Sequence, residues 1–457
     1  MNIRDFTRLF GLTLLGNSSS GYDWEESEGI LPKGKKRIVV VGAGMAGLAA
    51  AHTLQSQGHE TLVLEARDRI GGRIWTSTKW QDMPLDMGAT WIHGVEGNPL
   101  TSLANKIKAP RLMTRYENAV TYNTNGKPLS ASEENRLDTM RKRIFKALEQ
   151  AQNQDNDASI RQVIEPLLRG STATSEERRF ANFILSAELE DEYSGSATKI
   201  SAHWYDDSGA FEGDDALFPH GFDVIPKHLA QGLKIELGQS VREIQWNQSP
   251  VRVITKRSEF NADQVLVTLP CGVLQAQKVK FSPELPRNKR EAIAKLGMGV
   301  LNKCYLRFQN AFWHRDADWL EYIPSTHGMW TEWVSFWNAA KMPILLGFNS
   351  ADVGIKMEEW SDRAIVASAM QTLKTIYGHN IPEPIDYQIT RWAKDPFALG
   401  SYSYNAVGST PTMRKTLSAP LENKLLFAGE ATHKEYYGTT HGAYLSGLRA
   451  AKEILAT

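Results

Sequence analysis

The sequence predicts an α/β fold, in which a Rossmann-like dinucleotide-binding domain is interleaved with an α+β substrate-binding domain. One observation is a strand–turn–helix–strand pattern with three glycines over residues 38–64. A second is the length of 457 residues, which exceeds what one hydrophobic core usually accommodates. A third is the return of strand patterns, separated by helical segments, through the rest of the chain.

The first element is a βαβ unit of about 30 residues. Residues 38–41 are a β-branched run, which is typical of a strand buried on both faces. Residues 46–57 are rich in alanine and predict a helix, and residues 61–64 predict the second strand.

Three glycines between the first strand and the helix predict a phosphate-binding turn. Gly42 makes the tight turn, Gly44 lets the backbone approach a pyrophosphate, and Gly47 lets helix and strand pack closely. Glu65, at the end of the second strand, can accept hydrogen bonds from both hydroxyls of an adenosine ribose. A carboxylate there would repel a 2′-phosphate, which argues against NADP.

The segment that follows Glu65 extends this cofactor site. Gly71 and Gly72 give close access to the backbone, and Arg69 and Arg73 can offset phosphate charge. We also place Arg67 at the cofactor.

Two longer helices are predicted at residues 133–152 and 175–190, where apolar residues recur at helical spacing. Each is preceded by a capping-box pair, Ser130 with Glu133 and Thr174 with Glu177. Strands are predicted at 233–237, 241–246, 251–255 and 265–268, and a last helix at 442–455.

The order of these patterns predicts that the chain leaves the nucleotide-binding domain twice and returns to it twice. Residues 36–115, 225–290 and 395–457 form the nucleotide-binding domain, and residues 116–224 and 291–394 form the substrate-binding domain. Residues 1–35 are a leader or an N-terminal tail and linker.

The first ten residues resemble a bacterial twin-arginine export signal in which Ile3 replaces the first arginine. The apolar stretch from Leu9 to Leu15 is short, and no clear small-residue cleavage site follows it. We therefore expect a cytoplasmic protein, with export to the periplasm as the alternative.

Composition excludes several classes of function. Lysine plus arginine and aspartate plus glutamate both total 52, so no net charge attracts nucleic acid or an acidic membrane surface. No run of 18 apolar residues predicts a membrane span. Cys271 and Cys304 are too few for a zinc cluster or a disulfide framework, so we expect buried thiols and no metal site. Redox chemistry must therefore come from a cofactor.

Several motifs together resemble the flavin amine oxidases, which include monoamine, polyamine and spermine oxidases, L-amino-acid oxidases and lysine-specific histone demethylases. The resemblance runs from Lys36 to the end of the chain. Beyond the glycine turn, it rests on residues 69–73, 86–94, 268–274, 299–303, 392–403, 427–432 and 440–447. The segment 88–94, followed by 97–100, is most similar to the polyamine and spermine oxidases.

The resemblance implies that the cofactor is FAD. It adds Gly88, Ala89, Thr90, Val241 and Glu430 to the cofactor-binding residues. Monoamine oxidase has a cysteine that binds flavin covalently at the position matching Ser401, and serine cannot form that thioether. We therefore expect non-covalent FAD.

The resemblance also implies four catalytic residues. Lys303 would reach flavin N5 through one water, and Trp392 would lie against the flavin ring system. Tyr402 and Tyr444 would place two aromatic rings face to face beside the amine.

His93, Glu192 and Trp91 are the candidates for substrate binding. Glu192 precedes Ser201 at a spacing like that of the acid in plant-type polyamine oxidases, and Glu188 or Glu190 could serve instead. Carboxylates or a neutral imidazole would bind the distal cationic nitrogens of a polyamine.

These residues predict an oxidase that converts an amine to an imine or aldehyde and reduces O2 to H2O2, with a polyamine as the expected substrate. An L-amino-acid oxidase is the first alternative, although no arginine can be placed in the pocket to bind a substrate carboxylate. A flavin-binding scaffold with little turnover is the second. The expected partners are a small amine and O2, and the oligomeric state is left open.

Overall fold

The structure is a computed structural model that describes residues 34–169 and 173–457. The leader-like segment and most of its linker lie outside the described residues. None of the helices in the described part is long and apolar enough to cross a membrane.

A five-stranded parallel sheet forms the nucleotide-binding region. Its strands, in spatial order, are Leu425–Phe427, Gln264–Val267, Arg37–Val41, Glu60–Leu64 and Lys234–Glu236. The central strand is buried over Ile38–Val41, as its β-branched run predicts. This sheet confirms the α/β class, and its first two strands and helix confirm the predicted βαβ unit.

The helices Met45–Ser56 and Thr440–Leu455 pack against each other at this sheet. Their contact is close, because a Cβ atom at Gly447 would lie 2.2 Å from the carbonyl oxygen of Ala46. The helix Thr440–Leu455 therefore covers one side of the helix Met45–Ser56.

An adjoining four-stranded sheet contains Glu259–Ala262, Val251–Thr255, Val241–Gln245 and Lys280–Ser282. Short helices at Cys271–Gln275, Arg287–Lys295 and Pro411–Ser418 share a hydrophobic cluster with it, whereas the helix Val224–Leu229 packs against Met45–Ser56. Cys271 and Cys304 are buried free thiols, as predicted.

A six-stranded sheet forms the second region, in the order Asp386–Ile389, Leu301–Arg307, Ile344–Ser350, Glu332–Ser335, Trp319–Tyr322 and Ala119–Tyr122. Neighbouring strands in this sheet are antiparallel, except that Trp319–Tyr322 and Ala119–Tyr122 are parallel. Side chains of a strand alternate between faces. Cys304 therefore packs in the same cluster as the helix Asp362–Tyr377, while Lys303 and Tyr305 lie on the opposite face.

A group of helices completes this region, at Ala131–Gln152, Ile160–Leu168, Ser175–Ile184, Phe336–Ala340, Ala351–Met357 and Asp362–Tyr377. The predicted capping boxes at Ser130 and Thr174 are both formed. The second predicted helix differs from expectation. It changes to a π-helical turn at Leu185–Glu190 and ends with Asp191–Tyr193.

Short pairings add three small sheets, two of which join the two regions and one of which, Thr76–Ser77 with Leu85–Asp86, lies within the nucleotide-binding segment. Trp91–Ile92 and Leu112–Thr114 flank Asp215–Leu217, Thr76–Ser77 pairs with Leu85–Asp86, and Gly297–Met298 pairs with Ser403–Tyr404. A helix at Pro99–Lys106 and a 3₁₀ turn at Glu430–Thr432 complete the elements. Every strand of the parallel sheet lies in a segment assigned to the nucleotide-binding domain, and every strand of the six-stranded sheet in one assigned to the substrate-binding domain. The domain boundaries themselves stay a prediction.

Candidate active site

One large cavity, with a volume of about 1320 Å³, extends between the two regions. Val41, Leu64, Thr268 and Gly429 line it where the strands of the parallel sheet end. Open α/β sheets bind their ligands at this edge, because the loops there can diverge and leave a crevice.

The glycine turn forms one wall of the cavity. Gly42 has a φ angle of +110°, which a residue with a side chain rarely adopts. A Cβ at Gly47 would lie 2.0 Å from the Gly42 carbonyl oxygen, so this position needs glycine for packing. At Gly44 a Cβ would meet nothing within 4 Å. The turn at Gly42 and the close packing at Gly47 are as predicted, and the space beside Gly44 is open at the helix N-terminus. The approach of a pyrophosphate to Gly44 stays a prediction.

Glu65 is buried at the end of the second strand and lines the cavity. Its carboxylate accepts hydrogen bonds from the backbone N–H groups of Ala43, at 2.7 Å, and Arg67, at 2.9 Å. These two bonds fix the carboxylate beside the glycine turn. Each carboxylate oxygen keeps acceptor capacity for a ribose hydroxyl.

The three arginines near Glu65 differ in their surroundings. Arg67 lines the cavity but forms a two-point ion pair with Asp395, at 2.7 and 2.8 Å. Arg69 does not line the cavity. It donates to the Ile70 carbonyl and lies over the Trp75 ring, and burial lowers its pKa to about 10. The structure therefore does not support Arg69 as a phosphate ligand.

Arg73 and Glu430 form an ion pair of 2.9 Å in the cavity wall, and both were predicted cofactor residues. Glu430 also accepts hydrogen bonds from the Ser403 hydroxyl, at 2.6 Å, and from the Gly438 N–H, at 2.9 Å. Burial raises the pKa of the Glu430 carboxyl, but Arg73, Ser403 and Arg414 outweigh burial and hold the pKa below its ordinary value. Glu430 is thus a fixed negative charge.

Gly88, Ala89, Thr90 and Val241 also line the cavity, as predicted. A Cβ at Gly88 would lie 1.8 Å from the Arg73 carbonyl oxygen, so the segment packs directly on the arginine loop.

Lys303 is buried and points from the six-stranded sheet to the Asp86–Thr90 segment. Its ammonium group donates to the carbonyls of Asp86, at 2.9 Å, and Gly88, at 2.6 Å, and to the Thr90 hydroxyl. Burial lowers the pKa of Lys303 to about 7, against the opposing effect of the Asp86 carboxylate. The amine is thereby held at the cavity wall by three acceptors, and burial makes its proton easier to release than that of an exposed lysine.

Sequence reasoning missed Asp86 as a partner of this lysine. Its carboxylate is buried and accepts hydrogen bonds from Thr76, at 2.6 Å, and the Phe222 N–H, at 2.9 Å. Burial raises the pKa of Asp86 to about 7, while Thr76, Phe222 and Lys303 act to lower it. The motif 86–94 contained the residue, but nothing in it indicated a partner 217 positions away.

Trp392 and Ser401 both line the cavity. Trp392 is buried and donates from its indole nitrogen to the Met87 carbonyl at 3.2 Å. The Ser401 hydroxyl accepts from the Leu301 N–H, at 2.8 Å, and donates to the Leu301 carbonyl, at 3.1 Å. Both bonds keep this hydroxyl on the strand that carries Lys303.

Tyr402 and Tyr444 are not brought together as expected. Tyr402 lines the cavity and donates from its hydroxyl to the Asp191 carbonyl at 2.6 Å. Tyr444 does not line the cavity, and its half-buried ring packs against the hydrophobic core of the nucleotide-binding region. The last helix begins at Thr440, and its side of the cavity is formed by Thr439, Thr440, His441 and Ala443. This placement argues against Tyr444 as a second ring beside the amine.

An aromatic wall faces Lys303 instead. Trp91 stacks on Trp319 with ring centroids 5.9 Å apart, and Trp319 stacks on Phe348 at 6.2 Å. Tyr116 contacts Trp319 at 4.7 Å, and all four rings line the cavity. Lys303 lies 5.5 Å from the Trp91 ring. Only Trp91 was predicted, because the other three rings come from distant segments without a motif.

His93 lies at the cavity with a half-exposed side chain. Its Nδ1 is 2.8 Å from Asp215, whose other carboxylate oxygen accepts the Gly94 N–H at 2.9 Å. Asp215 lines the cavity too and was not predicted. The pairing of Trp91–Ile92 with Asp215–Leu217 brings these two side chains together.

The three candidate glutamates of the 188–192 segment lie in different surroundings. Glu192 is exposed and lines the cavity. Glu188 is buried and also lines it, whereas Glu190 turns away and binds His327 and the Ala197 N–H, each at 2.8 Å. Asp191 lines the cavity as well, because it lies three positions after Glu188 and therefore on the same face of the helix. Burial raises its pKa to about 7.

The acidic and the basic residues of the cavity wall come from different regions of the chain. Eight carboxylates come from the segments 116–224 and 291–394, namely Glu149, Glu188, Asp191, Glu192, Asp206, Glu212, Asp215 and Glu332. Within the described residues, the only lysine or arginine that lines this part is Lys303. The others, Arg67, Arg73, Arg242, Lys256 and Lys278, belong to the nucleotide-binding region and the adjoining sheet. The cavity therefore offers a basic end and an acidic end.

Comparison with known proteins adds an independent line of information. Residues 45–455 match the family described as flavin containing amine oxidoreductase. The chain is 34% identical over 435 residues to lysine-specific histone demethylase 1 homolog 2 of Arabidopsis thaliana, covering 92% of this chain and 58% of that protein. It is 32% identical over 431 residues to polyamine oxidase 2 of Arabidopsis thaliana, covering 91% and 87%.

The chain thus spans about half the length of the curated demethylases it matches. Among solved structures, wild-type putrescine oxidase bound to putrescine superposes with a TM-score of 0.74 and 21% identity, covering 93% of this chain and 99% of that one. At this identity, the likeness supports the fold.

Proposed function

The chain belongs to the family of flavin-containing amine oxidoreductases, as its motifs predicted, and from this premise we propose that it is an FAD-dependent polyamine oxidase. In this reaction an amine becomes an imine or aldehyde, and O2 is reduced to H2O2. The observation that carries the substrate class is the acidic end of the cavity, because several carboxylates around one lysine favour a polycation.

FAD is the cofactor of this family, and the basic end of the cavity fits it. Gly44 would leave room for the pyrophosphate at the N-terminus of a 12-residue helix, and Glu65 would accept hydrogen bonds from the ribose hydroxyls. Arg73 belongs to the same basic end and is paired there with Glu430. When bound, FAD accepts a hydride from the carbon next to the substrate nitrogen. Ser401 leaves no thiol for a covalent bond at the matching position.

The chain's own residues orient the amine and control its protons. Trp91, Trp319 and Phe348 present aromatic faces, which attract a cation and exclude water. Lys303 is held by three acceptors with a pKa of about 7, so it can hold or release a proton at the reacting centre. Tyr402 and Trp392 bound the same space.

His93 and Glu192 bind the distal nitrogens of the substrate in this proposal. The His93–Asp215 pair offers a carboxylate-oriented imidazole at the cavity, and Glu192 offers a carboxylate on the exposed side. Electrostatic attraction at an exposed site is modest, so these two residues select among amines and leave the reacting centre unchanged.

The alternatives differ in the groups they need. An L-amino-acid oxidase needs an arginine for the substrate carboxylate, and within the described residues no arginine lines the acidic end of the cavity. A scaffold with little turnover would not need a buried lysine at the cavity wall. A demethylase is favoured by the 34% identity to plant homologues, of which the chain spans about half.

A peroxide assay over a panel of amines tests the proposal. Purified enzyme is supplied with spermidine, benzylamine, lysine and a methylated lysine peptide at equal concentrations. Spermidine should give the highest kcat/KM. A preference for lysine or for the peptide would replace the proposed substrate, and peroxide from none of the four would favour the scaffold.

A further inference from the structure

The buried amine of Lys303 has hydrogen-bond partners that are all uncharged. It donates to the carbonyls of Asp86 and Gly88 and to the Thr90 hydroxyl. Such oxygens satisfy the donors of a buried cation but supply no opposite charge. Within the described residues, the charged side chain that acts on Lys303 is that of Asp86, without a direct ion pair.

The Asp86 carboxylate is in the complementary situation. It is buried and accepts hydrogen bonds from the Thr76 hydroxyl, at 2.6 Å, and from the Phe222 N–H, at 2.9 and 3.1 Å to its two oxygens. Both donors favour the ionised form, but neither carries a positive charge. The positive charge that stabilises this carboxylate comes from Lys303.

The main chain of Asp86 fixes the geometry of the two groups. Its carbonyl accepts from Lys303 at 2.9 Å and from the Tyr305 hydroxyl at 2.8 Å. The short strand Leu85–Asp86 pairs Asp86 directly with Thr76, so the residue that holds the carboxylate is fixed as well. One residue thus binds the amine through its carbonyl and keeps its carboxylate in the same buried region. Opposite charges act strongly on each other there, because little water screens them.

We propose that Asp86 is a positioning residue for Lys303, whose carbonyl fixes the place of the amine and whose ionised carboxylate favours the protonated form of that amine. This inference rests on the proposed function, in which Lys303 holds or releases a proton at the reacting centre. It deepens that function by naming the group that sets the protonation of Lys303. Because the two charges stabilise each other, neutralising one favours the neutral form of the other.

Few other charged or titratable groups surround the pair. Burial lowers the pKa of Lys303 and raises the pKa of Asp86, and each charge opposes the effect of burial on the other group. Asp223 raises the pKa of Asp86 further, but it forms its own ion pair with Lys227 at 2.7 Å. Burial raises the pKa of the Tyr305 phenol well above its ordinary value, so this hydroxyl stays neutral. Lys303 and Asp86 therefore titrate as one pair.

The charge of Asp86 can be separated from its hydrogen bonds. In Asp86→Asn, the side-chain oxygen still accepts from Thr76 or from the Phe222 N–H, and the carbonyl that binds Lys303 is unchanged. The substitution therefore removes the negative charge and leaves the amine in its place. Lys303 should then lose its proton at a pH lower by at least about one unit, which is tenfold in proton affinity.

A double-mutant cycle tests the coupling without substrate or turnover. Urea unfolding of the holoenzyme, at one fixed FAD concentration and pH 7, is measured for wild type, Asp86→Asn, Lys303→Met and the double variant. The unfolding equilibrium constant of the double variant should be at least about tenfold smaller than the product of the two single effects predicts. Asp223→Asn combined with Lys303→Met is the matched control cycle, because Asp223 has its own cation, and it should be multiplicative within about twofold.

The pH profile is the second measurement. The flavin half-reaction that Lys303→Met slows is followed by stopped flow from pH 6 to pH 10 in wild type, Asp86→Asn and Thr76→Val. Asp86→Asn should move the inflection that depends on Lys303 to lower pH by at least about one unit. Thr76→Val removes only one hydrogen bond to the carboxylate, so it should move the inflection less and in the same direction, and it provides the test should Asp86→Asn not fold.

Two results would overturn the inference. One is a multiplicative cycle for Asp86 and Lys303, and the other is an inflection at the same pH in wild type and both carboxylate variants. The proposed function fails separately, in the peroxide assay, because the unfolding cycle uses no amine and does not depend on which amine the enzyme oxidises.

Discussion

Replacing Lys303 by methionine removes one ammonium group and keeps a side chain of similar length in a buried strand. The ammonium group donates to two carbonyls and to the Thr90 hydroxyl. Two of these acceptors have a second donor, because the Tyr305 hydroxyl donates to the Asp86 carbonyl at 2.8 Å and Thr90 donates to the Gly88 carbonyl at 3.3 Å. We therefore expect Lys303→Met to fold and to retain FAD.

The expected cost in stability follows from these contacts. With two carbonyls still satisfied, about one buried polar group loses its partner, which corresponds to roughly 1–3 kcal/mol. The kinetic effect should be larger. A group with a pKa of about 7 is suited to proton transfer at neutral pH, and such catalysis contributes about 10²–10⁴-fold. We expect either flavin reduction or reoxidation to slow by about 100-fold.

Stopped-flow absorbance separates the two half-reactions. Spermidine reduces the flavin in the absence of O2, and the reduced enzyme is then mixed with oxygenated buffer. Lys289→Met is a matched control, because Lys289 is also buried, donates to three carbonyls and has its pKa lowered to about 7 by burial. Lys289 does not line the cavity, so its variant should lose stability and keep both rates. If Lys303→Met changes neither rate by more than about twofold, Lys303 does not act at the flavin.

Four further outcomes are expected. Acid or heat should release FAD into the supernatant, because Ser401 cannot hold flavin covalently, and a yellow pellet would contradict this. Glu192→Gln and His93→Ala should each raise the KM for spermidine and leave benzylamine turnover nearly unchanged in the peroxide assay, whereas equal loss on both amines would place these residues at the reacting centre. Flavin reduction at saturating substrate should accelerate from pH 6 to pH 10, since the reacting nitrogen must lose its proton; a flat profile would argue against amine oxidation. Finally, burial raises the pKa of Glu188 to about 7, which means that the folded state keeps a proton that the unfolded state loses between about pH 4 and 7, so this group's stabilising effect falls as pH rises. Glu188→Gln should therefore gain stability relative to wild type between pH 5 and pH 8 in urea unfolding, and a constant difference would show that the pKa is not raised.

Local features of the fold could be predicted from the sequence. Ser130 and Glu133 form their capping box within four residues, so the helix start depends on nothing distant. The run 38–41 is buried in the parallel sheet for a similar reason, since only a central strand accepts four apolar residues in succession. The π-helical turn at Leu185–Glu190 could not be predicted, because one turn of apolar spacing does not distinguish helices of slightly different pitch.

A site residue could be predicted only where a motif contained the residue and also fixed the direction of its side chain. The glycine turn and Glu65 are fixed by the strand and helix beside them. Tyr444 lies within a motif, yet its ring is directed into the core, because the phase of the last helix decides which residues face the cavity. Asp215 and Trp319 belong to no motif, and only tertiary pairing brings them to the cavity.

The strand Leu425–Phe427 and the helix that follows it determine when the protein can finish folding. This strand pairs with Gln264–Val267, and Glu430 reaches Arg73 across 357 positions of sequence. During synthesis, the edge of the strand Gln264–Val267 and one side of the helix Met45–Ser56 are therefore uncovered until residues 425–455 have left the ribosome. Contacts at such separation form late, because closing long loops costs entropy before any contact compensates it. The edge of the strand Gln264–Val267 must thus be protected from edge-to-edge association while residues 268–424 are synthesised.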